Sequence, residues 1–424
     1  MCSSVDIEIV LKSHSYLSKS ILIAKVQSYL AKFKVENYLE KNSIISDFST
    51  EEDSFTSLIH SIVIGDVSPI PVNKGKLLDL NAHKINWYVY TLDTDGPTTQ
   101  VQADEDGEIT LATHLTLPSK ELFTLWENLY YEDNIKENIL QYGKTMMEFS
   151  KKGINANIIS CNRVILLHGP PGTGKTSLCK ALAQKLCVQM RDVYSSGVLI
   201  EINSHSLFSK WFSESGKLVT NMFSQIKEIC ENSNLLVCVL MDEVESLAHA
   251  RDQSISGNEP SDAVRVVNAM LTQIDQIKKC PNVLILATSN MTEAIDLAFV
   301  DRADIKQYLG LPSVPAIYKI YHSCLVELLK ANVIKCQNEK FETVNINRQP
   351  IQLLDDMQEH SKQLIKICEA SVQLSGRTLR KIPFLAYALF INGTKNPDLR
   401  IFLDAMDKAV EKEHQQRKDF KTRK

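Results

Sequence analysis

Residues 164–176 read Val-Ile-Leu-Leu-His-Gly-Pro-Pro-Gly-Thr-Gly-Lys-Thr, and few arrangements accommodate that run. The apolar stretch Val164 to Leu167 predicts a buried strand. It feeds a loop of form G-x-x-x-x-G-K-T, from Gly169 to Thr176, and a helical stretch from Thr176 to Leu186 follows. Strand, glycine-rich loop and helix N-terminus in that order make a phosphate cradle. Gly169, Gly172 and Gly174 let backbone N–H groups turn inward with no Cβ in the way. Pro170, Pro171, Thr173 and Ser177 complete the candidate phosphate-binding stretch. Lys175 is spaced to reach the outer phosphates of a nucleoside triphosphate, and the Thr176 hydroxyl to ligate Mg²⁺. A chance glycine-rich turn before a helix is the competing account, and the complete eight-residue pattern in this context weighs against it. His168, just ahead of the loop, reads as a packing or hydrogen-bonding residue.

The strand pattern around this run repeats. Leu199 to Ile202, Leu235 to Met241 and Val283 to Ala287 are further apolar runs separated by helical stretches. Such alternation predicts a parallel sheet flanked by helices. Trp126 to Phe149 is expected to be mostly helical and to lead into the Val164 strand. After Leu311-Pro312 the pattern turns helical over Ala316–Ala331, Asp355–Ser371 and Thr378–Phe390, which reads as a helical lid. The charged end, Glu411 to Lys424, is expected to fray. The first hundred residues differ. Val5 to Ile9 alternates as a strand does, Ser20 to Lys34 carries helical spacing, Asp47 to Ser54 reads as a loop, and Ile85 to Tyr90 is rich in β-strand formers. Asp104-Glu105-Asp106-Gly107 lacks EF-hand spacing and is expected to be a hairpin turn. The expected division is an α+β N-terminal binding module over residues 1–115, a large α/β subdomain over 116–310 and a helical lid over 311–424.

The large subdomain carries a second set of chemical groups. The Leu235 strand ends in Asp242-Glu243. Asp242 is placed to hold the Mg²⁺ shell, and Glu243 to orient and polarise an attacking water. An Asp-Glu pair after a strand means little alone; coupled to a complete phosphate loop it means a good deal. Asn290, at the end of the Val283 strand, is a candidate polar sensor of the γ-phosphate, although strand-terminal turns also favour Asn. Arg302 is a candidate arginine finger acting from a neighbouring subunit. Arg377, in Ser375-Gly376-Arg377, is a candidate reporter from the lid. Either arginine alone would ordinarily be read as a surface ion pair.

Composition narrows the class. At 424 residues, 44% hydrophobic and 23% charged, the chain suits an ordinary globular protein of two to three domains. A formal charge of −4 gives no sign of bulk nucleic-acid binding. The ten cysteines form no CxxC pairs, which suits a reducing compartment and argues against a zinc site. No apolar run approaches membrane-spanning length, and the N-terminus carries no secretory pattern.

The order of loop, acidic strand end, sensor, arginine and lid resembles the AAA+ ATPases, and fits a simple P-loop kinase or GTPase less well. The segments 203–217, 259–268 and 299–308 resemble the pachytene checkpoint protein 2 family. That resemblance implies a homohexamer that uses ATP and Mg²⁺ to convert HORMA-domain proteins from closed to open conformers, recruited through a HORMA-type adaptor. It implies disassembly of spindle-checkpoint and meiotic chromosome-axis complexes, in the nucleus, on chromosomes and in the cytoplasm. It makes Lys210, Trp211 and Phe212 the substrate-gripping pore loop. Exposed aromatics on a polar loop are able to grip a passing chain by packing. A nucleotide-dependent scaffold with little hydrolysis is the alternative. A DNA clamp loader or helicase would need basic DNA-facing patches, so neither direct DNA binding nor membrane association is expected.

Overall fold

A computed structural model describes residues 4–13, 17–36, 43–46, 48, 57–68, 83–104, 107–132, 134–155, 158–202, 215–246, 262–290, 295–336, 359–391 and 395–422. The chain forms two compact units. The first joins Met1–Glu127, Lys136–His168 and Thr176–Tyr308; the second joins Asn128–Ile135, Gly169–Lys175 and Leu309–Lys424. The pore-loop candidates Lys210, Trp211 and Phe212 lie outside the described residues.

The first unit contains two sheets. β1 (Ser4–Leu11), β2 (Ile44–Ile45), β3 (Ile59–Ser68) and β4 (Lys84–Thr91) form a four-stranded sheet of order β2-β3-β1-β4. β1 runs antiparallel to β3 and parallel to β4. Helix α1 (Lys19–Glu36) buries Leu22, Val26, Tyr29 and Leu30 in the core that Val5, Ile7 and Ile9 of β1 supply. This spacing is the helical stripe the sequence predicts.

The larger sheet has seven strands in the order β11-β7-β10-β9-β8-β6-β5. Its members are β5 (Thr98–Asp104), β6 (Gly107–Leu117), β7 (Val164–His168), β8 (Ser196–Ile202), β9 (Leu235–Met241), β10 (Val283–Ser289) and β11 (Ile305–Tyr308). The five from β7 to β11 are mutually parallel. β9 and β10 are buried almost throughout, as a parallel sheet covered on both faces requires. Helices α2 (Ile135–Lys151), α3 (Lys175–Gln189), α4 (Ser215–Cys230) and α5 (Asp262–Ile277) alternate with the strands. The short α6 (Leu297–Val300) precedes β11, and the Asp296 carboxylate caps it by accepting from the Ala298 N–H at 2.7 Å.

Three sequence expectations need correction. Residue 115 falls inside β6, which pairs antiparallel with β8, so the β5–β6 hairpin extends the large sheet rather than the N-terminal one. Alternation identifies a strand without identifying its neighbour. The helix expected from Trp126 begins only at Ile135. The residues before it run in an irregular path, with Asn134 in the left-handed region at φ 59°. Finally, the charged C-terminal end stays helical to Thr422.

A buried charge cluster ties the small sheet to helix α3. Lys185 of α3 lies 2.5 Å from the Glu8 carboxylate of β1 and 2.7 Å from that of Glu127, and all three side chains are at most 8% exposed. The Tyr90 hydroxyl donates to the second oxygen of Glu8 at 2.8 Å. Gln189, one turn along α3, donates to Asp6 at 2.9 Å. The acidic residues of β1 thus meet polar residues spaced one helical turn apart on α3.

The second unit is helical. α7 (Val314–Lys330), α8 (Glu359–Ala370), α9 (Gly376–Leu379), α10 (Ile382–Phe390) and α11 (Leu399–Thr422) enclose Tyr318, Tyr321, Leu364, Leu403 and Met406. Pro383, in the first turn of α10, fits the break after Leu379. Arg417 donates to Glu413 at 2.9 Å and to the Thr378 hydroxyl at 2.7 Å, which holds the end of α11 in helix.

Candidate active site

Strand order brings the chemical groups to one edge of the large sheet. Ser289 pairs with His168, and Ala287 with Met241, so the carboxyl ends of β7, β10 and β9 stand side by side. The phosphate loop, Asp242-Glu243 and Asn290 follow directly from those ends. Ligands of open α/β sheets bind outside the carboxyl ends of the strands.

The loop has the conformation its glycines predict. Gly169, Gly172 and Gly174 have φ of 140°, 77° and 90°. At Gly172 a Cβ would lie 2.7 Å from the Ser375 hydroxyl and 3.2 Å from the Arg377 Cβ; at Gly174 it would lie 2.6 Å from the Tyr131 hydroxyl. Lys175 is 5% exposed, and its ammonium donates to the carbonyls of Gly169 and Pro170 at 2.8 Å each. Thr173 donates to the Pro170 carbonyl at 3.0 Å. Tyr131 donates to the Thr173 and Gly174 carbonyls at 3.2 Å. The Arg377 N–H donates to the Gly172 carbonyl at 3.1 Å. Arg377 is therefore beside the loop through its backbone, with its side chain exposed.

The acidic group is tied together by hydroxyls. The Thr176 hydroxyl donates to Asp242 Oδ1 at 2.9 Å, and Thr288 also donates to Oδ1. The Thr288 hydroxyl in turn accepts from the Glu243 N–H at 3.2 Å, and Val244 N–H donates to the Thr288 carbonyl at 2.9 Å. Glu243 has φ 57°, a left-handed conformation that costs about 1–3 kcal/mol for a residue with a Cβ. Such strain persists only where surrounding contacts enforce it, and here they do. The Glu243 carboxylate is exposed and accepts from Asn290 Nδ2 at 3.1 Å.

Asp242 and Thr176 are hard oxygen donors in contact, the chemistry a small divalent cation prefers. The loop offers backbone N–H groups and an ammonium, the chemistry of polyphosphate. Both donor sets fit a magnesium nucleoside triphosphate.

Arg302 lies elsewhere. Its Nε and Nη2 donate to the Asp275 carboxylate at 3.1 and 2.8 Å, and Nη1 to the Ala298 carbonyl at 2.6 Å. Lys278 is 2.7 Å from the same carboxylate, and these partners hold Asp275 below the usual carboxylate range against the opposing effect of burial. The arginine is thus clasped within its own chain. Nearby, Asp304 accepts from the N–H groups of Asn162 and Val164 at 2.9 and 3.1 Å, which pins the entry of β7.

Sequence reasoning missed Thr288, whose hydroxyl links both carboxylate-bearing residues, and Asp275, which holds Arg302. Neither follows a motif; each is identified only by strand and helix placement.

Comparison with known proteins identifies the family. Residues 165–311 match the family model described as "ATPase family associated with various cellular activities (AAA)", and residues 313–414 match "TRIP13-like, AAA+ ATPase lid C-terminal domain". The chain is 48% identical over 417 residues to the pachytene checkpoint protein 2 homolog of Danio rerio, covering 97% of this chain and 94% of the relative. It belongs to the pachytene checkpoint protein 2 family. Family membership makes it a nucleotide-binding AAA+ ATPase. The solved structure of C. elegans PCH-2 superposes with a TM-score of 0.76 at 35% identity, covering 97% of this chain and 99% of that one. A second structure, the HORMA:CdnC:Trip13 complex of E. coli MS115-1, matches in fold with a TM-score of 0.51 at 19% identity, over 70% of this chain and 94% of that one.

Proposed function

We propose that the chain works as a homohexamer that uses ATP hydrolysis to convert HORMA-domain proteins from closed to open conformers, disassembling spindle-checkpoint and meiotic chromosome-axis complexes. Family membership supports this reading, as does the likeness to a Trip13 fold solved with a HORMA protein. The N-terminal module recruits the client or a HORMA-type adaptor, and Lys210, Trp211 and Phe212 grip the client. The nucleus, chromosomes and cytoplasm are the expected compartments.

The chemistry rests on one observation: Asp242, Glu243, Thr288 and Asn290 form a continuous hydrogen-bonded set. Lys175 and the loop N–H groups hold the triphosphate. Thr176 and Asp242 would hold the Mg²⁺, which would supply charge neutralisation at the phosphates when bound. Glu243 accepts the proton of the attacking water as its oxygen bonds to the γ-phosphorus. The bond from that phosphorus to the bridging oxygen breaks, and ADP leaves. Asn290 orients the Glu243 carboxylate. A scaffold that merely bound nucleotide would need the loop but not this strained second set.

The test compares wild type with Glu243→Gln, using purified HORMA client and measured conformer conversion. The wild type should convert client with ATP. The variant should bind ATP and retain client without conversion. Normal hydrolysis by Glu243→Gln, or no ATP-dependent conversion by wild type, refutes the reading.

A further inference from the structure

Beyond the groups that face the nucleotide, one buried carboxylate stands at the same strand end. Glu245 is 8% exposed, and its Oε1 accepts the backbone N–H of Asn290 at 3.1 Å. Its Oε2 is buried without a hydrogen-bond partner among the described residues. A half-satisfied buried carboxylate is a poor stabilising device, because the orphaned oxygen bears its desolvation cost. Such exceptions in a folded protein call for a reason other than stability.

The geometry supplies one. The left-handed turn at Glu243 separates the directions of two carboxylates only two residues apart. One, Glu243, is exposed and meets the Asn290 side chain; the other, Glu245, is buried and meets the Asn290 backbone. Asn290 is the first residue beyond β10, where ladder hydrogen bonds no longer fix the chain. With its N–H anchored, only two side-chain torsions remain to aim its amide. We infer that Glu245 is a positioning residue: it anchors the Asn290 backbone so that the amide stays on Glu243. This rests on the reading that Asn290 and Glu243 serve hydrolysis. Glu245 touches neither nucleotide nor water in this role.

The test uses the full chain and measures kcat and KM for ATP together with Tm, for Glu245→Ala, Glu245→Gln, Asn290→Ala and the Glu245→Ala/Asn290→Ala double variant. Outer partners of functional side chains are typically worth about 10–100-fold, so Glu245→Ala should lose kcat in that range with KM and Tm nearly unchanged. Glu245→Gln keeps an oxygen that accepts the Asn290 N–H and should stay close to wild-type kcat. In the Asn290→Ala background, Glu245→Ala should cost little more, because both changes disable one device. Full additivity of the two losses would overturn the inference. So would a kcat loss accompanied by lower Tm and weaker nucleotide binding, which marks a structural prop. If Asn290→Ala hydrolyses normally while Glu245→Ala is impaired, the sensor reading and this inference both fail. If Asn290→Ala is impaired and Glu245→Ala is not, only this inference fails.

Discussion

Replacing Lys185 by methionine keeps most of the side-chain volume and removes one ammonium from between two buried carboxylates. Glu8 and Glu127 are only 3% and 7% exposed, so neither can be rescued by solvent. Breaking a buried ion pair by removing one partner costs about 3–5 kcal/mol. Two stranded carboxylates put Lys185→Met at the upper end of that range. At about 2.1 cal/mol/K of unfolding entropy per residue, a unit of about 300 residues shifts by roughly 1.6 °C per kcal/mol, so the melting temperature should fall by about 5–8 °C. The sign of the pH dependence follows from the same contacts. In the wild type burial pushes both carboxyls up; Lys185 outweighs burial at Glu127, which sits below its usual range, but not at Glu8, which stays above. Without Lys185 both folded-state values lie above the unfolded ones, so the folded variant binds more protons than the unfolded chain and gains stability as pH falls. Thermal melts of wild type and variant at about pH 8 and about pH 5 should show a deficit that shrinks in acid. A variant with Glu8→Leu, Glu127→Leu, Lys185→Met and Tyr90→Phe should regain most of the loss, because a packed apolar cluster removes the unpaired charge. Tyr90→Phe belongs in the set because its hydroxyl would otherwise lose its acceptor. A fall of under about 2 °C for Lys185→Met, or a deficit that does not change with pH, would refute the argument.

Thr288→Val removes the hydroxyl that links Asp242 to the Glu243 N–H; kcat should drop about 10-fold or more with ATP still bound, checked by steady-state ATPase and a fluorescent nucleotide titration. Gly172→Ala places a Cβ against Ser375 and Arg377 at a φ of 77°, so nucleotide affinity should weaken, measured by the same titration. Lys175→Ala should abolish nucleotide binding, since one ammonium balances the phosphates. If Arg302 serves a neighbour, an Arg302→Ala protein mixed with a Glu243→Gln protein should regain part of the ATPase of wild type; no recovery despite co-assembly assigns Arg302 to its clasp with Asp275 alone.

The phosphate loop was legible because its chemistry needs contiguous residues in a fixed order. The β9 end was legible for a related reason: seven apolar residues followed by two carboxylates mark where a buried strand meets solvent. Thr288 and Glu245 were not legible, because their roles depend on β9 and β10 standing in register, which no local pattern encodes. Asp6 and Glu8 were hidden differently. Charged residues alternating on a strand read as solvent-facing, yet their partners on α3 lie far along the chain. The stretch before α2 misled through composition. Its aromatics have helical spacing, but Tyr131 serves the phosphate loop and Tyr130 packs on the lid core. At the C-terminal end the charge that suggested fraying supplies the pair at Glu413 and Arg417 that opposes it.

The hydrogen bond from Arg377 to the Gly172 carbonyl joins the turn opening α9 to the middle of the phosphate loop, and Ser375 occupies the space a Gly172 Cβ would need. Loop shape and the shape of the α9 turn are therefore not independent variables: a mechanical load on that turn is felt at Gly172 without passing through any strand. A measurement of lid stiffness, such as hydrogen exchange at the Arg377 amide, becomes by the same contact a measurement of how firmly the loop keeps its curvature.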